Sequence, residues 1–256
     1  MDVSKFASRT PLWVDLMTPD LKVATKFYAG LFGWTFVEGP PESGGYNMAF
    51  LRGRKVAGMG QLPPGAPMPS AWTMYLNVDD ADVAIAEIRE LGGNVLMGPM
   101  DVMSEGRMVV AADPTGAVFG LWQPKNHKGT EVRDEPGAMT WHELTTRDIA
   151  RAKDFYSKFL GVTYDQVPAG GMDYFIAKKN DATVVGMMGF PPGMPSTVPP
   201  HWTNVFAVAN TDAAVKYAMD HGGQTLFPAT ESSFGRFATI TDPAGAAFSV
   251  ITLPTK

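Results

Sequence analysis

The sequence predicts an α+β fold: a tandem repeat of two similar domains, each made of two βαβββ modules that form a cupped mixed sheet with the helices outside. Three observations lead to this prediction. The two halves of the chain match one another at a nearly constant spacing, each half alternates short strand-like runs with two amphipathic helices, and a polar segment joins the halves. Self-similarity at a fixed spacing indicates duplication of a structural unit.

The repeat begins with the segments that start at Val14 and His142. VDLMTPDLKVATKFYAGLFGW and HELTTRDIARAKDFYSKFLGV align at an offset of 128 residues. Later landmarks keep offsets of 128 to 130: Phe27-Tyr28 with Phe155-Tyr156, Trp72 with Trp202, Gly92-Gly93 with Gly222-Gly223, and DPTGA at Asp113 with DPAGA at Asp242. We therefore assign residues 1–125 to a first domain, 126–137 to a linker containing Pro and Gly, and 138–256 to a second domain.

Each half opens with a strand followed by an amphipathic helix. Apolar residues at spacings of three and four fall on one helical face, which is then expected to be buried. In the first half Asp20 is expected to cap this helix and Gly33 to end it. Asp148 and Gly161 take the same places in the second half. The buried faces are formed by Ala24, Phe27, Tyr28 and Leu31, and by Ala152, Phe155, Tyr156 and Phe159.

The remaining elements follow in the same order in both halves. In the first half the strand-like runs are PLWVDLM, GWTFVE, YNMAFLR and KVAGMGQ, then, after a proline-rich loop, WTMYLNV, the helix DADVAIAEIRELGG, and NVLM, RMVVAAD and AVFGLWQ. The DPTG and DPAG turns are typical of hairpins. Since successive strand residues face opposite sides and the helices cover only one side, the other side is free to form a cleft.

Composition excludes several classes of function. The formal net charge of -5 and the isoelectric point near 5.4 argue against nucleic acid as a partner, which needs a basic surface. No apolar run approaches the roughly 20 residues of a membrane span. The N-terminal stretch MDVSKFASRT lacks the apolar region of a signal peptide, so we expect a cytoplasmic protein, either monomer or homodimer. With Cys 0, disulfides, thiolate ligands and a cysteine nucleophile are excluded.

The paired βαβββ modules, the FY pair followed by LFG or FLG, and the late DPxG turn resemble the vicinal oxygen chelate superfamily. That superfamily includes glyoxalases, extradiol dioxygenases, methylmalonyl-CoA epimerases, fosfomycin-modifying enzymes and bleomycin-binding proteins. The resemblance covers residues 10–125 and 138–254. More closely, the chain looks like tandem glyoxalase-like proteins of actinobacteria that are often labelled hydroxylases, some of whose relatives act in antibiotic pathways as binding or accessory proteins.

The resemblance also implies where a divalent metal would be held. Enzymes of this superfamily use His and Glu side chains from three recurrent places in each half. In this sequence those places hold Trp13, Thr73, Gly120, Trp141, Thr203 and Ser249. None of them is His, Asp or Glu, and these residues offer no donors or weak ones. We therefore expect neither a metal site nor another cofactor.

Asp15 and Glu143 occupy equivalent inward positions and are the first candidates for chemistry. Each follows by two residues a Trp that stands at one of the places of the superfamily's metal ligands. Because alternate strand residues share a face, each should point into the cleft. Such a carboxylate is either a general base with a raised pKa or a structural group that accepts loop hydrogen bonds. His201, two residues before Thr203, is either the acid–base partner of Glu143 or a histidine bonded to loop backbone.

The other histidines are expected to lie away from the cleft. His142 follows Trp141 directly, so it should face the opposite side of its strand, towards helix or solvent. His127, in the linker, and His221, beside a glycine pair, are expected at the surface.

The remaining cleft should be lined by aromatic and sulfur-bearing groups suited to a flat organic ligand. Loops 38–46, 62–71 and 190–200 contain Gly or Pro and are candidate lids. The predicted ligand-binding residues are Trp13, Asp15, Met59, Thr73, Tyr75, Trp122, Trp141, Glu143, Met187, His201 and Thr203, with Met17 and Val205 facing the same way.

The amino-acid sequence leaves several functions open. The sequence favours a metal-independent protein that binds an aromatic or polyketide-like molecule for sequestration, resistance or an accessory role in biosynthesis. The alternative is a metal-free isomerase, lyase or hydroxylase-type enzyme that uses Glu143, Asp15 or His201. A metal-dependent glyoxalase or dioxygenase would need donors outside the usual places, and a purely structural module would have a packed cleft.

Overall fold

The structure is a computed structural model that describes residues 5–66, 68–169 and 172–254. It contains two eight-stranded sheets, one from each half of the chain, and four α-helices in this part of the chain. The elements of the first half are β1 (Pro11–Thr18), α1 (Leu21–Phe32), β2 (Thr35–Glu38), β3 (Asn47–Leu51), β4 (Arg54–Gln61), β5 (Ala71–Asn77), α2 (Ala81–Glu90), β6 (Asn94–Val102), β7 (Gly106–Ala112) and β8 (Val118–Pro124).

The second half repeats this order. Its elements are β9 (Met139–Thr146), α3 (Ile149–Tyr156), β10 (Thr163–Ala169), β11 (Met172–Lys179), β12 (Ala182–Gly189), β13 (His201–Ala207), α4 (Thr211–Asp220), β14 (Thr225–Ser232), β15 (Gly235–Thr241) and β16 (Ala247–Thr252). Among the described residues, no helix is long and apolar enough to cross a membrane.

The helix ends form where the sequence places their capping residues. The Asp20 carboxylate accepts a hydrogen bond from the Val23 backbone N–H at 2.9 Å, and Gly33 ends α1 with a left-handed φ of 72°. Asp148 caps α3 in the same way through Arg151 N. The end of α3 differs from that of α1, because α3 continues into a π-helical turn over Ser157–Gly161.

The two modules of one half form a single sheet. The strand order is β2-β3-β4-β1-β5-β8-β7-β6, and β10-β11-β12-β9-β13-β16-β15-β14 repeats it. Antiparallel pairing of β1 with β5 joins the two modules, while β1 with β4 and β5 with β8 are parallel. The sheet is therefore mixed, as the sequence predicts.

Each sheet curls so that distant strands approach one another. The rings of Tyr174, on β11, and Phe234, in the turn between β14 and β15, lie 6.0 Å apart although their strands stand near opposite edges of the sheet. The helices cover the other face of each sheet, outside the curl. The helix-covered faces of the two sheets pack together, so the helices lie between the sheets.

Two hydrophobic cores fill this space, and each draws residues from both halves. One core joins α1 and its strands to α4, β15 and β16, and the other joins α2 and its strands to α3 and β12. Two equivalent hydrogen bonds cross between the halves. Tyr28 donates to Asp242 at 3.2 Å, and Tyr156 donates to Asp113 at 3.0 Å.

The linker, which connects the last strand of the first sheet to the first strand of the second, packs against the protein. Val132 and Ala138 are fully buried, and the Trp34 indole N–H donates to the carbonyl of Gly137 at 2.7 Å. The Thr130 N–H donates to the Leu12 carbonyl, so this segment also follows the end of β1. These contacts position it against the first sheet.

Candidate functional site

The face of each sheet opposite the helices carries the candidate site. We call the first cup the face formed by Trp13, Asp15, Tyr46, Thr73 and Tyr75. Its register is set by the β1–β5 ladder, which pairs Trp13 with Tyr75 and Asp15 with Thr73. Directly paired residues share a face of the sheet. These four side chains therefore face the cup, as the sequence predicts.

The second cup is formed by the equivalent residues Trp141, Glu143, Tyr174, Thr203 and Val205. The β9–β13 ladder pairs Trp141 with Val205 and Glu143 with Thr203. The repeat therefore extends from the sequence to the arrangement of side chains within the two cups.

A Trp, a Tyr and a carboxyl group form the same constellation in both cups. The Trp13 indole N–H donates to the Tyr46 hydroxyl at 3.2 Å, and the Trp141 indole N–H donates to the Tyr174 hydroxyl at 2.9 Å. Tyr46 interacts with Asp15 through hydrogen bonding, as does Tyr75. Tyr174 makes the equivalent interaction with Glu143 in the second cup.

A glycine beneath each tyrosine makes this constellation possible. A Cβ atom on Gly58 would lie 1.6 Å from the Tyr46 hydroxyl oxygen, and one on Gly186 would lie 2.0 Å from that of Tyr174. Any larger residue would displace the tyrosine from its carboxyl group. Sequence reasoning missed both tyrosines, although the offset of 128 residues relates Tyr46 to Tyr174 and would have identified them.

The environment of the two carboxyl groups favours their neutral form. Burial raises the pKa of Asp15 to about 7, and hydrogen bonding to Tyr75 and Tyr46 only partly opposes this shift. Burial also raises the pKa of Glu143, again opposed by a hydrogen bond with Tyr174. A protonated carboxyl can donate one hydrogen bond and accept others, so it can offer both functions to a bound oxygen wherever a ligand can reach it.

The residues at the places of the superfamily's metal ligands do not fit a divalent ion. The indole N–H groups of Trp13 and Trp141 are used by tyrosines, and the Tyr75 ring lies over Gly120, where an added Cβ would be 2.2 Å from the ring. Ser249 shares a hydrogen bond with Thr239. Within the described ranges, no three His, Cys, Asp or Glu side chains come together as a ligand set.

His142 faces the helices and is buried. Its Nδ1–H donates to Asn204 Oδ1 at 2.7 Å, across the β9–β13 ladder. Burial, with a contribution from Arg133, lowers the pKa of His142 to about 3, so the ring is neutral. The expectation that it points away from the cleft is confirmed, and it packs inside the protein rather than facing solvent.

His201 lies at the rim of the second cup and is not paired with Glu143. It stands opposite Thr145, whereas Glu143 stands opposite Thr203. The His201 Nδ1–H donates to the Pro199 carbonyl at 2.9 Å, which is the backbone-bonded alternative considered above. The group that contacts Glu143 is Tyr174.

Met59 and Met187 do not line the cups, and the prediction that they do is wrong. Both side chains are fully buried among the residues that pack between the sheets. The reason is the alternation of strand residues, because Gly58 and Gly186 take the cup-facing positions just before them.

His127 is buried, so the prediction of a surface position is wrong. The linker turns back over the end of the first cup, where the His127 ring lies 4.3 Å from the Trp13 ring and 5.5 Å from the Trp122 ring. The Trp122 indole N–H donates to the His127 carbonyl at 2.9 Å. Trp122 thus faces the first cup as expected. His221 is exposed, as predicted, and stacks on Tyr217.

The candidate lids differ in how they are held. Arg147 fastens loop 190–200 by donating to the carbonyls of Val198 and Pro195 and by stacking over the Phe190 ring at 4.0 Å. Loop 38–46 contains a short 3-10 turn at Pro41–Ser43 and leads into Tyr46. Residue 67 of loop 62–71 lies outside the described residues.

Comparison with known proteins shows where this architecture recurs. A family model described as the Glyoxalase/Bleomycin resistance protein/Dioxygenase superfamily matches residues 10–121 and 138–250. The chain is 43% identical over 254 residues to "Putative glyoxylase CFP32" of Mycobacterium tuberculosis, covering 97% of this chain and 96% of that protein. It is 37% identical over 265 residues to "Anthracycline biosynthesis protein DnrV" of Streptomyces peucetius, covering 98% and 96%.

Two solved structures share the fold at low identity. The 2,2',3-trihydroxybiphenyl 1,2-dioxygenase of Sphingomonas wittichii strain RW1 superposes with a TM-score of 0.63 at 15% identity, covering 96% of this chain and 91% of that chain. The Mn(II)-bound glyoxalase of Novosphingobium aromaticivorans gives 0.63 at 14% identity, covering 97% and 86%. These two similarities concern the fold alone.

Proposed function

Because this chain belongs to the Glyoxalase/Bleomycin resistance protein/Dioxygenase superfamily, we propose a function from its site rather than from its fold. The protein binds an aromatic or polyketide-like small molecule in a cup without using a metal ion. Its role would be sequestration, resistance or an accessory role in biosynthesis. Turnover is not required for any of these roles.

The observation that carries this proposal is the Trp–Tyr–carboxyl constellation. It stands on the face where metal enzymes of the superfamily have their ligands, and its groups bond to one another. An apolar concave surface with a few convergent polar groups is the usual composition of a small-molecule site. The faces of Trp and Tyr rings suit flat aromatic ligands.

The relatives support the class of ligand. Two of them, from Streptomyces peucetius and Streptomyces sp. strain C5, are named anthracycline biosynthesis proteins and match this chain over 98% of its length. Their names agree with a polycyclic aromatic ligand. We extend to this chain only the chemical class.

Titration of metal-depleted protein tests the proposal. Protein dialysed against EDTA would be titrated with quinizarin, a planar dihydroxyanthraquinone, while tryptophan fluorescence is recorded. We expect saturable quenching, the same dissociation constant after Mn2+ or Zn2+ is restored, and quinizarin recovered unchanged by chromatography and mass spectrometry. Saturable binding that occurs only after metal is restored would overturn the proposal.

A metal-free enzyme is the second candidate, favoured by the raised pKa of Asp15 and of Glu143. Carboxyl groups with such shifts are suited to acid–base steps in isomerase, lyase or hydroxylase-type reactions. If the protein is such an enzyme, Glu143→Gln abolishes turnover and leaves binding nearly unchanged. A metal-dependent glyoxalase or dioxygenase is the third, and it would need ligands other than the residues at the six places described above.

A further inference from the structure

We propose that the second cup is the ligand site of this protein, and that it takes a planar, uncharged aromatic molecule with a carbonyl or phenolic oxygen placed at Glu143. This inference rests on the proposed function and specifies the site and the ligand class. It follows from differences between two cups that the duplication would otherwise make equivalent.

The first difference is access to the Trp and to the carboxyl group of the constellation. In the first cup Trp13 is only 3% exposed and Asp15 only 7%. In the second cup the equivalent Trp141 and Glu143 are half-buried, whereas Thr73 and Thr203 are half-buried alike in the two cups. A ligand can therefore reach the carboxyl group of the second cup, whereas that of the first is covered by protein.

Replacement of large residues by small ones accounts for this difference. Tyr75 and Trp122 occupy the first cup, and the repeat places Val205 and Ile251 at the equivalent positions of the second. The Tyr75 ring extends over Gly120, whose counterpart is Ser249, so that space is not filled by a ring in the second cup.

The linker adds to the closure of the first cup alone. The carbonyl of Glu105, in the turn between β6 and β7, accepts the His127 N–H at 3.0 Å and so holds the linker over that end. The residue equivalent to Glu105 is Phe234, whose ring is 44% exposed and approaches Tyr174 across the second cup.

The second cup also has an aromatic wall. Phe227 pairs with Thr239 and stacks on Phe237, with ring centroids 5.4 Å apart and an interplanar angle of 9°. Phe227 is nevertheless 40% exposed. The strand pairings put Met97 and Met108 at the positions of Phe227 and Phe237 in the first cup, so two flexible thioether side chains stand where the second cup has two rings. Exposed, flat and parallel rings are suited to stacking on a planar ligand.

The polar groups of the second cup define what the ligand carries. Glu143 and Thr203 are cross-strand partners, and the Thr239 and Ser249 hydroxyls form a hydrogen-bonded pair at 2.9 Å on the same face. A neutral carboxyl beside a hydroxyl can donate to a ligand carbonyl or exchange bonds with a phenol. A ligand anion would be repelled by Glu143 whenever that group ionises, which favours an uncharged molecule.

Fluorine NMR can assign the occupied cup directly. The full chain has six tryptophans, so labelling with 5-fluorotryptophan gives six fluorine resonances. Each resonance is assigned with a Trp→Phe variant. On addition of quinizarin we expect the Trp141 resonance to shift and the Trp13 resonance to stay in place. A shift of Trp13 with Trp141 unmoved would overturn the inference and leave the proposed function standing.

A reciprocal exchange supplies matched variants. Phe237→Met gives the second cup the residue of the first, and Met108→Phe does the reverse. We expect Phe237→Met to weaken quinizarin binding by about tenfold, the effect of about 1.4 kcal/mol, and Met108→Phe to leave it within about twofold. The fluorine spectra of the free variants check that both remain folded. The opposite pattern of effects would overturn the choice of cup.

The ligand class has its own control. Anthracene keeps the planar rings of quinizarin and lacks its oxygens, whereas the perhydrogenated analogue of quinizarin is not planar. We expect both to bind at least about tenfold more weakly, because each loses one of the two kinds of contact. Equal binding of either would overturn the ligand class alone. Absence of saturable binding by all three molecules would overturn this inference and the proposed function together.

Discussion

At the scale of single residues, the two cup carboxyl groups are the features that depart most from ordinary protein chemistry. Asp15 is enclosed by apolar and aromatic groups with two tyrosines as its polar neighbours, and its Oδ1 has no hydrogen-bond partner among the described residues. A buried carboxylate without a cation is costly, so the fold favours the acid form. The stability of the protein must then depend on pH through this group.

We predict that Asp15→Asn removes a destabilisation that grows with pH. The pKa of Asp15 is raised from 3.8 to about 7 in the folded state, so the folded protein holds a proton that the unfolded chain has lost. Between these values the free energy of unfolding falls as pH rises, by about 4 kcal/mol in all. Urea unfolding at several pH values measures the free energy of unfolding of both proteins. We expect the stability of Asp15→Asn relative to the unchanged protein to increase as pH rises.

The quantity to follow is the difference in free energy of unfolding between the unchanged protein and Asp15→Asn. His142 and His127, whose pKa values are lowered to about 3 and about 4, act in the opposite sense, because their contribution to stability is lost as pH falls below about 6.5. Both histidines are present in the variant and cancel. A difference that stays constant with pH would contradict the assigned environment of Asp15.

A second prediction concerns the buried pair of His142 and Asn204. The first half has Val14 and Met74 at these positions. His142→Val alone leaves the Asn204 amide without a partner for its oxygen and should lower the free energy of unfolding by about 1–3 kcal/mol. His142→Val with Asn204→Met copies the apolar pair and should recover most of that loss. Chemical denaturation of the three proteins measures the coupling, and a double variant no more stable than the single one would contradict it.

At the scale of the elements, α1 and α3 are each tied to the other half by a tyrosine. The Tyr28 hydroxyl accepts from the Trp72 indole at 2.9 Å and donates to Asp242 in the DPAG turn. The Tyr156 hydroxyl does the same with Trp202 and Asp113. The FY pair and the DPxG turn, separate motifs in the sequence, are therefore parts of one contact made twice.

We predict that Tyr28→Phe and Tyr156→Phe have similar effects on stability. Each removes a buried hydroxyl that makes two hydrogen bonds and leaves an indole N–H unpaired, so each should cost about 1–3 kcal/mol. Tyr217→Phe, at a partly exposed tyrosine on α4, is the control and should cost less than about 0.5 kcal/mol. Thermal or urea unfolding measures all three, and costs no larger than that of the control would show that these bonds do not join the halves.

The sequence predicted these elements well because their signals are local or repeated. Helix caps, the apolar helix faces and the βαβββ order depend on residues that are close in the chain. Each of these signals occurs in both halves. Strand alternation also predicts the cup-facing positions of Trp13, Asp15 and Thr73 correctly, because each lies a few residues before an Asp that caps a helix. Met59 and Met187 were misplaced because no cap fixes the phase of β4 and β12.

Other features depend on contacts between distant segments and could not be predicted locally. The burial of His127 requires the path of the linker over the first cup. The role of Tyr46 and Tyr174 requires the approach of β3 and β11 to the central strands, although the repeat marks both residues. The packing of the helices between the two sheets likewise follows from pairing across the duplication.

At the scale of the whole molecule, the two halves share both hydrophobic cores. Residues of α1 pack with those of α4, and residues of α2 pack with those of α3, so neither sheet buries its helical face alone. Separation of the halves would expose both sets of apolar residues to water. The two domains should therefore be stable only as a pair.

We predict that the chain unfolds in one cooperative transition in spite of its two-domain sequence. Calorimetry should give a single peak, and tryptophan fluorescence and far-ultraviolet circular dichroism should report the same urea midpoint. Residues 138–256 expressed alone should show no such transition. Two resolved transitions in the intact chain, or a folded second half on its own, would contradict the shared cores.

Native mass spectrometry shows directly whether the cups hold an organic ligand or a metal ion. Protein purified without chelators or a histidine tag would be weighed in native and denatured form, before and after addition of quinizarin. We predict no divalent ion in the native mass and an added mass equal to that of bound quinizarin. A native mass that exceeds the denatured mass by one or two divalent ions would contradict this prediction if chelation removes the ions and abolishes quinizarin binding.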